Sequence, residues 1–136
     1  MSVDAVLARG RRAALALMRD TCVIERADGD PVLNEETGQL EQQWTTMYTG
    51  RCRVKSSGRA GQGAGRETGW GEREVTLHQY TAVLPWDTPQ IIAREDRLIV
   101  TSSQDTWLIG RPLEVVDLSL GGLTTARRLL LEDKEG

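Results

Sequence analysis

Residues 113–131 read LEVVDLSLGGLTTARRLLL, two apolar-rich runs joined by the pair Gly121-Gly122. Leu113 to Leu120 and Thr124 to Leu131 have the length and the Val and Leu content of short strands. Glycine adopts positive φ angles without steric cost, so the pair predicts a tight reversal between the two runs. The end of the chain is therefore predicted to form an antiparallel hairpin.

Other short apolar runs, bounded by turn residues, precede this hairpin. They are Thr21–Arg26, Leu40–Tyr48, Arg51–Val54, Glu74–Leu84, Leu98–Thr101 and Trp107–Ile109. Thr49-Gly50 is expected to break the chain between the second and third runs, and Ser102–Asp105 to join the last two as a hairpin. Short strands at this close spacing favour a small antiparallel β-barrel or sandwich over a βαβ sheet. The fold class is therefore predicted to be mainly β.

One helix is predicted ahead of the strands, over residues 2–19. Its apolar residues recur at the three- and four-residue spacing of one helical face. They are Val3, Val6, Leu7, Gly10, Ala14, Leu17 and Met18. Ser2 is a candidate N-cap, and Asp4 complements the positive end of the helix.

Charge is unevenly distributed along a chain whose formal net charge is −3. That net charge argues against the broad basic surface of general nucleic-acid binders. Segments 1–20 and 55–73 are nevertheless each net +2. In the first segment Arg9, Arg12 and Arg19 are expected to align on one helical face, where they either stay solvated or dock the helix to an acidic partner subunit.

Residues 56–71 interrupt the strand pattern with six glycines and almost no side chain that could pack. A polar segment longer than about 12–15 residues in a small domain is usually a functional loop or a disordered one. We therefore predict a flexible loop that a partner orders. Arg59 and Arg66 could touch a phosphate backbone without reading sequence, or simply keep the loop soluble. Trp70 could stack on a base, anchor a neighbouring subunit or fold back on its own barrel.

Length and composition predict a single domain, residues 1–136, of ordinary globular character. The chain is 39% apolar and 27% charged and contains no Phe. No run approaches the roughly 18 apolar residues of a membrane span, and no signal peptide is recognised, so we expect a cytosolic product. Cys22 and Cys52 lie in predicted strands, where buried free thiols are expected rather than a disulfide.

The sequence offers little for catalysis or cofactor binding. His78 is the only histidine and lies within a predicted strand, so a His-activated thiol would need Cys22 or Cys52 beside it. These residues also lack the close-paired spacing of zinc sites. Residues 61–65 are glycine-rich, but no Gly-Lys-Ser or Gly-Lys-Thr follows and the stretch opens no helix. We therefore expect no catalytic residue, no metal and no cofactor.

A series of short motifs follows the basic amphipathic helix and covers most of the chain. They are Asp20-Thr21-Cys22-Val23-Ile24, Glu36-Thr37-Gly38, Tyr48-Thr49-Gly50-Arg51-Cys52-Arg53-Val54, Leu84-Pro85, Glu95-Asp96-Arg97-Leu98-Ile99-Val100, Leu108-Ile109-Gly110-Arg111, Val115-Val116 and Ala126-Arg127-Arg128-Leu129. In this order they resemble the head-to-tail connector proteins of tailed bacteriophages. The resemblance is strongest to the head-closure, or stopper, proteins of phages and prophages of actinobacteria.

The resemblance implies a β-barrel subunit of the virion neck with no catalytic site. Such subunits form a homo-oligomeric ring, dodecameric by preference or hexameric, that joins the portal and adaptor ring to the tail terminator or tail tube. The ring helps to retain packaged double-stranded DNA through non-specific contacts and touches no membrane. The loop 56–71 matches the position that projects into the channel, with Arg59, Arg66 and Trp70 facing DNA. The helix that carries Arg9, Arg12 and Arg19 matches a docking element for neighbouring rings.

Two other functions stay open at this point. A tail terminator or tail-completion subunit would share the small β-rich fold and the ring assembly. A single-stranded nucleic-acid-binding barrel would instead need an aromatic stacking platform. The candidates for that platform are Trp44, Tyr48, Trp70 and Tyr80.

Overall fold

The computed structural model describes residues 2–56, 78–89 and 92–133. Within these ranges one helix and eight strands follow each other along the chain. They are α1 (Val3–Ala16), β1 (Asp20–Ala27), β2 (Val32–Asn34), β3 (Gln39–Glu41), β4 (Trp44–Ser56), β5 (His78–Pro85), β6 (Arg97–Ser102), β7 (Pro112–Leu118) and β8 (Ala126–Asp133). The prediction of a mainly β fold preceded by one helix is confirmed.

Six of the strands close into an antiparallel barrel in the order β1-β4-β5-β8-β7-β6, and β6 pairs back onto β1. Ile24 of β1 lies opposite Tyr48 of β4 on one side and opposite Leu98 of β6 on the other. Closure leaves no free edge among these six strands, which protects them from pairing with other chains. Of the two architectures that the strand spacing favoured, the barrel is the one observed.

The barrel interior is filled by side chains that alternate along the strands, because successive side chains of a strand face opposite sides of the sheet. The buried ones are Cys22, Ile24, Cys52, Val54, Ala82, Leu84, Leu98, Val100, Leu113, Val115, Leu129 and Leu131. Since the chain has no Phe, Leu, Val and Ile supply most of the apolar volume. Burying each of them contributes about 1.5–3 kcal/mol.

Polar contacts attach helix α1 to the outside of the barrel. The hydroxyl of Ser2 caps its first turn by accepting a backbone amide hydrogen bond at 3.1 Å. At the other end Arg51 of β4 donates to the carbonyl of Leu15 at 2.8 Å. Between these ends the guanidinium of Arg11 stacks on the ring of Trp86, 3.7 Å from its centroid.

Less of α1 is buried than its apolar spacing predicts. No residue of the helix is fully buried, and Val3 and Val6 are exposed. Gly10 faces the barrel so closely that an added Cβ would lie 2.8 Å from Cγ2 of Thr125. The helix also ends earlier than predicted, so Arg19 follows the helix instead of lying on it.

The predicted strand over residues 107–109 is wrong. Residues 106–108 form a turn, and Ile109 makes a single parallel bridge to Val100. The amide of Trp107 donates to the carboxylate of Asp105 at 3.0 Å, which stabilises the turn. The predicted hairpin through Ser102–Asp105 is therefore absent, and β6 pairs antiparallel with β7 as well as with β1.

Three glycines, at two places in the chain, also differ from prediction. The chain-terminal hairpin is present as β7–β8, but its loop covers residues 119–125, and neither Gly121 nor Gly122 has a φ in the left-handed region. Gly50 does not break β4, which runs through it without interruption. Instead the hydroxyl of Tyr48 crosses over Gly50 to donate to the carbonyl of Arg51 at 2.7 Å, and an added Cβ would lie 2.8 Å from that hydroxyl.

Candidate functional site

A cleft of about 590 Å³ opens at the end of the barrel where β4 ends and β5 begins. It lies between the last residues of β4, Tyr80 of β5 and the turn that follows β6. Its buried lining includes Val54, Leu108 and Asp133. Because Ser56 and Tyr80 both line the cleft, the chain leaves β4 and rejoins β5 beside it.

An ion pair fixes one wall of the cleft. Arg111 donates through Nη1 to Oδ2 of the buried Asp133 at 3.1 Å, and through Nε to the carbonyl of Trp107 at 2.9 Å. These contacts hold the turn before β7 against the last residue of β8. They leave the side chain of Trp107 81% exposed beside the cleft.

Basic side chains gather at the same end of the barrel. Arg19, Arg53 and Lys55 line the cleft, and the last two also line a neighbouring groove of about 280 Å³ together with Arg128. Arg53, Val83 and Arg128 lie side by side on three adjacent strands. None of the four cations forms an ion pair with another described residue. The cleft also holds the carboxylates of Asp20, Asp105 and Asp133, whereas the described lining of the groove contains none.

The three arginines predicted for docking are separated by the structure. Arg9, Arg12 and Arg19 are all exposed. Arg9 and Arg12 lie on α1 and line neither the cleft nor the groove, whereas Arg19 lines the cleft. The structure therefore brings Arg19 together with cations of β4 and leaves the two helical arginines apart from them.

The residues predicted to face DNA, Arg59, Arg66 and Trp70, lie outside the described residues, as does the predicted loop 56–71 beyond Ser56.

A match to a protein family covers almost the whole chain. Residues 10–132 match the model of a family of unknown function, DUF6093. The chain belongs to this family. No curated protein matches it.

A solved structure has the same overall fold as this DUF6093 chain. It is the solution structure of protein SF1141 from Shigella flexneri 2a, which aligns with a TM-score of 0.52. The alignment covers 85% of this chain and 92% of that one, at 15% sequence identity. At that identity the likeness concerns the fold alone.

The two thiols of the DUF6093 chain lie in the barrel interior. Cys22 and Cys52 are free and fully buried, which confirms the prediction of buried thiols. A hydrogen bond with Cys52 raises the pKa of the Cys22 thiol, and burial raises it further by a smaller amount. Because the thiolate is the nucleophilic form, Cys22 is poorly suited to attack a substrate.

Other chemistry is not assembled in the described part of the chain. The backbone of His78 begins β5, opposite Asp133 of β8. No group of His, Cys, Asp and Glu side chains among residues 2–56, 78–89 and 92–133 could hold a metal ion. In the same ranges, no helix has both the length and the apolar character needed to cross a membrane.

The described aromatic candidates do not form a stacking platform. Trp44 begins β4 and is covered by the guanidinium of Arg97, 3.6 Å from its centroid. Tyr80 lies opposite Ser56, at the other end of β4. A strand rises about 3.3 Å per residue, so roughly 40 Å of strand lies between Trp44 and the position opposite Tyr80. Tyr48 packs against the core.

Sequence reasoning missed the residues that make the basic groove. Arg53 and Lys55 alternate with the buried Cys52 and Val54, so the period of β4 alone could have placed both cations on the outer face. No local pattern places Arg128 beside Arg53 and Lys55, because they become neighbours only through the strand order β4-β5-β8 in the barrel.

Proposed function

We propose that this protein is a head-closure, or stopper, subunit of the neck of a tailed bacteriophage. In this role it is made in the host bacterial cytoplasm and becomes a structural part of the virion. Its ring joins the portal and adaptor ring to the tail terminator or tail tube and helps to retain packaged DNA. The observation that carries the proposal is the placement of exposed apolar side chains in several separate regions of one small barrel.

These exposed apolar residues lie in four separate regions of the described structure. They are Val3, Val6 and Leu17 near or on α1, Val32, Leu33 and Leu40 on the β2–β3 hairpin, Trp107 and Ile109 beside the cleft, and Leu120 and Leu123 in the β7–β8 loop. A scattered exposed apolar residue is ordinary, but clusters in several places are typical of surfaces that other proteins cover. A subunit placed between two rings and two neighbours of its own kind needs contacts on several sides.

The charges of the chain suit the same role. Arg9, Arg12 and Arg19 are exposed and are therefore available for contact with an adjacent ring. That ring is the portal or adaptor on one side and the tail terminator or tail tube on the other. Arg59, Arg66 and Trp70 are the residues that we assign to the channel, where phosphate contacts would be independent of sequence. A ring repeats each weak contact in every subunit, so an acidic monomer can still present a dense cationic band to DNA. We favour a dodecamer and regard a hexamer as the alternative.

Locating the protein in the virion tests this proposal. Particles of the phage or induced prophage that encodes the chain are purified, and the chain is detected by mass spectrometry and by labelled antibody in electron micrographs. The expected result is a ring at the junction of head and tail. A ring at the tube end would favour a tail terminator, and absence from purified particles would overturn a virion role.

A further inference from the structure

The β2–β3 hairpin is an acidic arm with an apolar face. Residues 28–43, which contain it, hold five carboxylates and no Lys, Arg or His. The carboxylates are Asp28, Asp30, Glu35, Glu36 and Glu41, and none forms an ion pair with a described residue. Leu33 and Leu40 are direct cross-strand partners, and both are exposed, Leu40 to 68%. The arm therefore offers an apolar pair surrounded by negative charge.

The arm is ordered by its own hydrogen bonds. The side-chain oxygen of Asn34 accepts from the Glu36 amide at 2.9 Å, and the backbone carbonyl of Asn34 accepts from the Gly38 amide at 2.7 Å. At the base, the Asp28 amide donates to the carbonyl of Gln43 at 2.8 Å. In the described structure β2 and β3 form their own two-stranded sheet, separate from the barrel. A two-stranded hairpin alone is marginally stable in water, so this one would gain stability if its apolar face were covered.

The basic groove at the other end of β4 complements this arm. Its lining combines the cations Arg53, Lys55 and Arg128 with apolar surface from the exposed Leu17 and from Val83. No acidic residue is found among its described lining residues. The groove therefore pairs apolar contact with positive charge, as the arm pairs apolar contact with negative charge.

The arm lies at the start of β4 and the groove towards its end, and no residue of the arm lines the groove of its own subunit. From Trp44, where β4 begins, to Arg53 the strand rises about 30 Å. From Gln43 to the turn at Glu36 an extended arm reaches only about 23 Å. The groove is consequently available to the arm of a second copy.

We propose that the acidic β2–β3 arm of one copy docks in the basic groove of the next copy. The interface is heterologous, since it joins two different surfaces, and repeating it with a closing rotation generates a ring. Leu33 and Leu40 meet Leu17 and Val83, while the carboxylates of the arm surround the three cations. The inference rests on the proposed ring and names the surfaces that build it.

Charge reversal on each surface tests the contact. One variant carries Glu35→Lys with Glu36→Lys in the arm, and the other carries Arg53→Glu with Lys55→Glu in the groove. Sedimentation velocity at low salt, up to millimolar protein, measures self-association of the wild type and of each variant. Each variant alone is expected to associate at least about tenfold more weakly, because like charges then face each other.

Mixing the two variants gives the decisive measurement. The basic arm of the first then meets the acidic groove of the second, and the unchanged acidic arm of the second meets the unchanged basic groove of the first. Association in the equimolar mixture should therefore recover to near the wild-type level. A control with Asp87→Lys and Glu95→Lys makes the same change of net charge outside the arm and should associate as the wild type does. Circular dichroism of each variant checks that it is folded.

Several outcomes would overturn the inference. A wild type that remains monomeric at millimolar concentration, or a mixture that does not recover, excludes the contact. If the groove variant loses binding to double-stranded DNA while both variants self-associate normally, the groove is a DNA contact. Virion rings that assemble normally from either variant would overturn this interface and leave the neck assignment intact. If association recovers in the mixture but the protein is absent from virions, the arm–groove interface stands and the neck assignment is overturned.

Discussion

Arg26 and Asp96 are joined by two parallel hydrogen bonds, Nε to Oδ1 at 2.9 Å and Nη2 to Oδ2 at 3.0 Å. The carboxylate is 2% exposed, whereas the arginine side chain is 40% exposed. Asp96 also accepts from the amide of Ala93 at 2.8 Å. The hydrogen bond with Asp96 raises the pKa of Arg26. This forked pair, the strong form of a protein ion pair, ties β1 to the turn that leads into β6.

Replacing Arg26 by alanine should lower the free energy of unfolding by about 2–3 kcal/mol. The substitution leaves the Asp96 carboxylate buried without its charged partner. The loss stays below that of a fully enclosed pair because water can enter where the exposed part of Arg26 was. Urea unfolding, monitored by circular dichroism, measures this change in the free energy of unfolding.

Arg94→Ala is the matched control for this prediction. Arg94 pairs with Asp117 at 3.4 Å, and both side chains are exposed. Exposed pairs contribute about 0–1 kcal/mol, so the control should stay within that range. Equal losses in Arg26→Ala and Arg94→Ala would contradict a special role for the Arg26–Asp96 pair.

Gly10→Ala should stabilise the protein in a Thr125→Ala background but not in the wild type. Alanine is about 1 kcal/mol more favourable than glycine within a helix. In the wild type the new methyl group would meet Cγ2 of Thr125 at 2.8 Å, so little or no stabilisation is expected. With Thr125→Ala the obstacle is gone, and Gly10→Ala should stabilise the protein by about 0.5–1 kcal/mol. Thermal unfolding of the four proteins measures the coupling, and strictly additive effects would show that the helix does not approach the barrel here.

The strand pattern was predictable wherever a local signal agrees with the final contacts. Short apolar runs bounded by turn residues mark β1 and β8, and Ser2 marks the start of α1, because composition and capping depend on nearby residues. Residues 107–109 have the apolar run of a strand but form a turn. Arg111 holds that turn through Asp133, a partner on the last strand that no local pattern could indicate.

The candidate site was less predictable for the same reason. Arg11 and Arg12 are neighbours of one residue type, yet only Arg11 meets Trp86, since the rotation of the helix on the barrel selects between them. Arg53 and Arg128 are far apart in sequence and become neighbours across Val83 once β4, β5 and β8 pair. Sequence alone gives neither the helix rotation nor this strand order.

Stability should fall at alkaline pH in part through Tyr48. Burial, with a smaller contribution from Cys22, raises the pKa of Tyr48 from 10.0 to about 12. The unfolded chain therefore loses this proton first. The neutral folded hydroxyl contributes stability that is complete below pH 10 and is lost as pH rises towards 12.

Tyr48→Phe should reduce this alkaline loss. At neutral pH the variant should be less stable by about 1 kcal/mol, because its hydrogen bond to the Arg51 carbonyl is absent. Urea unfolding at a series of pH values measures both effects. If the unfolding free energies of wild type and Tyr48→Phe change in parallel between pH 10 and pH 12, Tyr48 ionises equally in the folded and the unfolded protein.

The thiols report on unfolding of the barrel. Cys22 and Cys52 are fully buried, so the native protein should react with a thiol reagent only as fast as it opens. An exposed thiol introduced as Leu17→Cys should react at once and controls for the reagent. Since each 1.4 kcal/mol changes an equilibrium about tenfold, Arg26→Ala should accelerate labelling of the native thiols by roughly thirtyfold or more. Labelling of the wild type as fast as that of Leu17→Cys would mean that the barrel interior is open to solvent, and the core described for β1 and β4 would then be wrong.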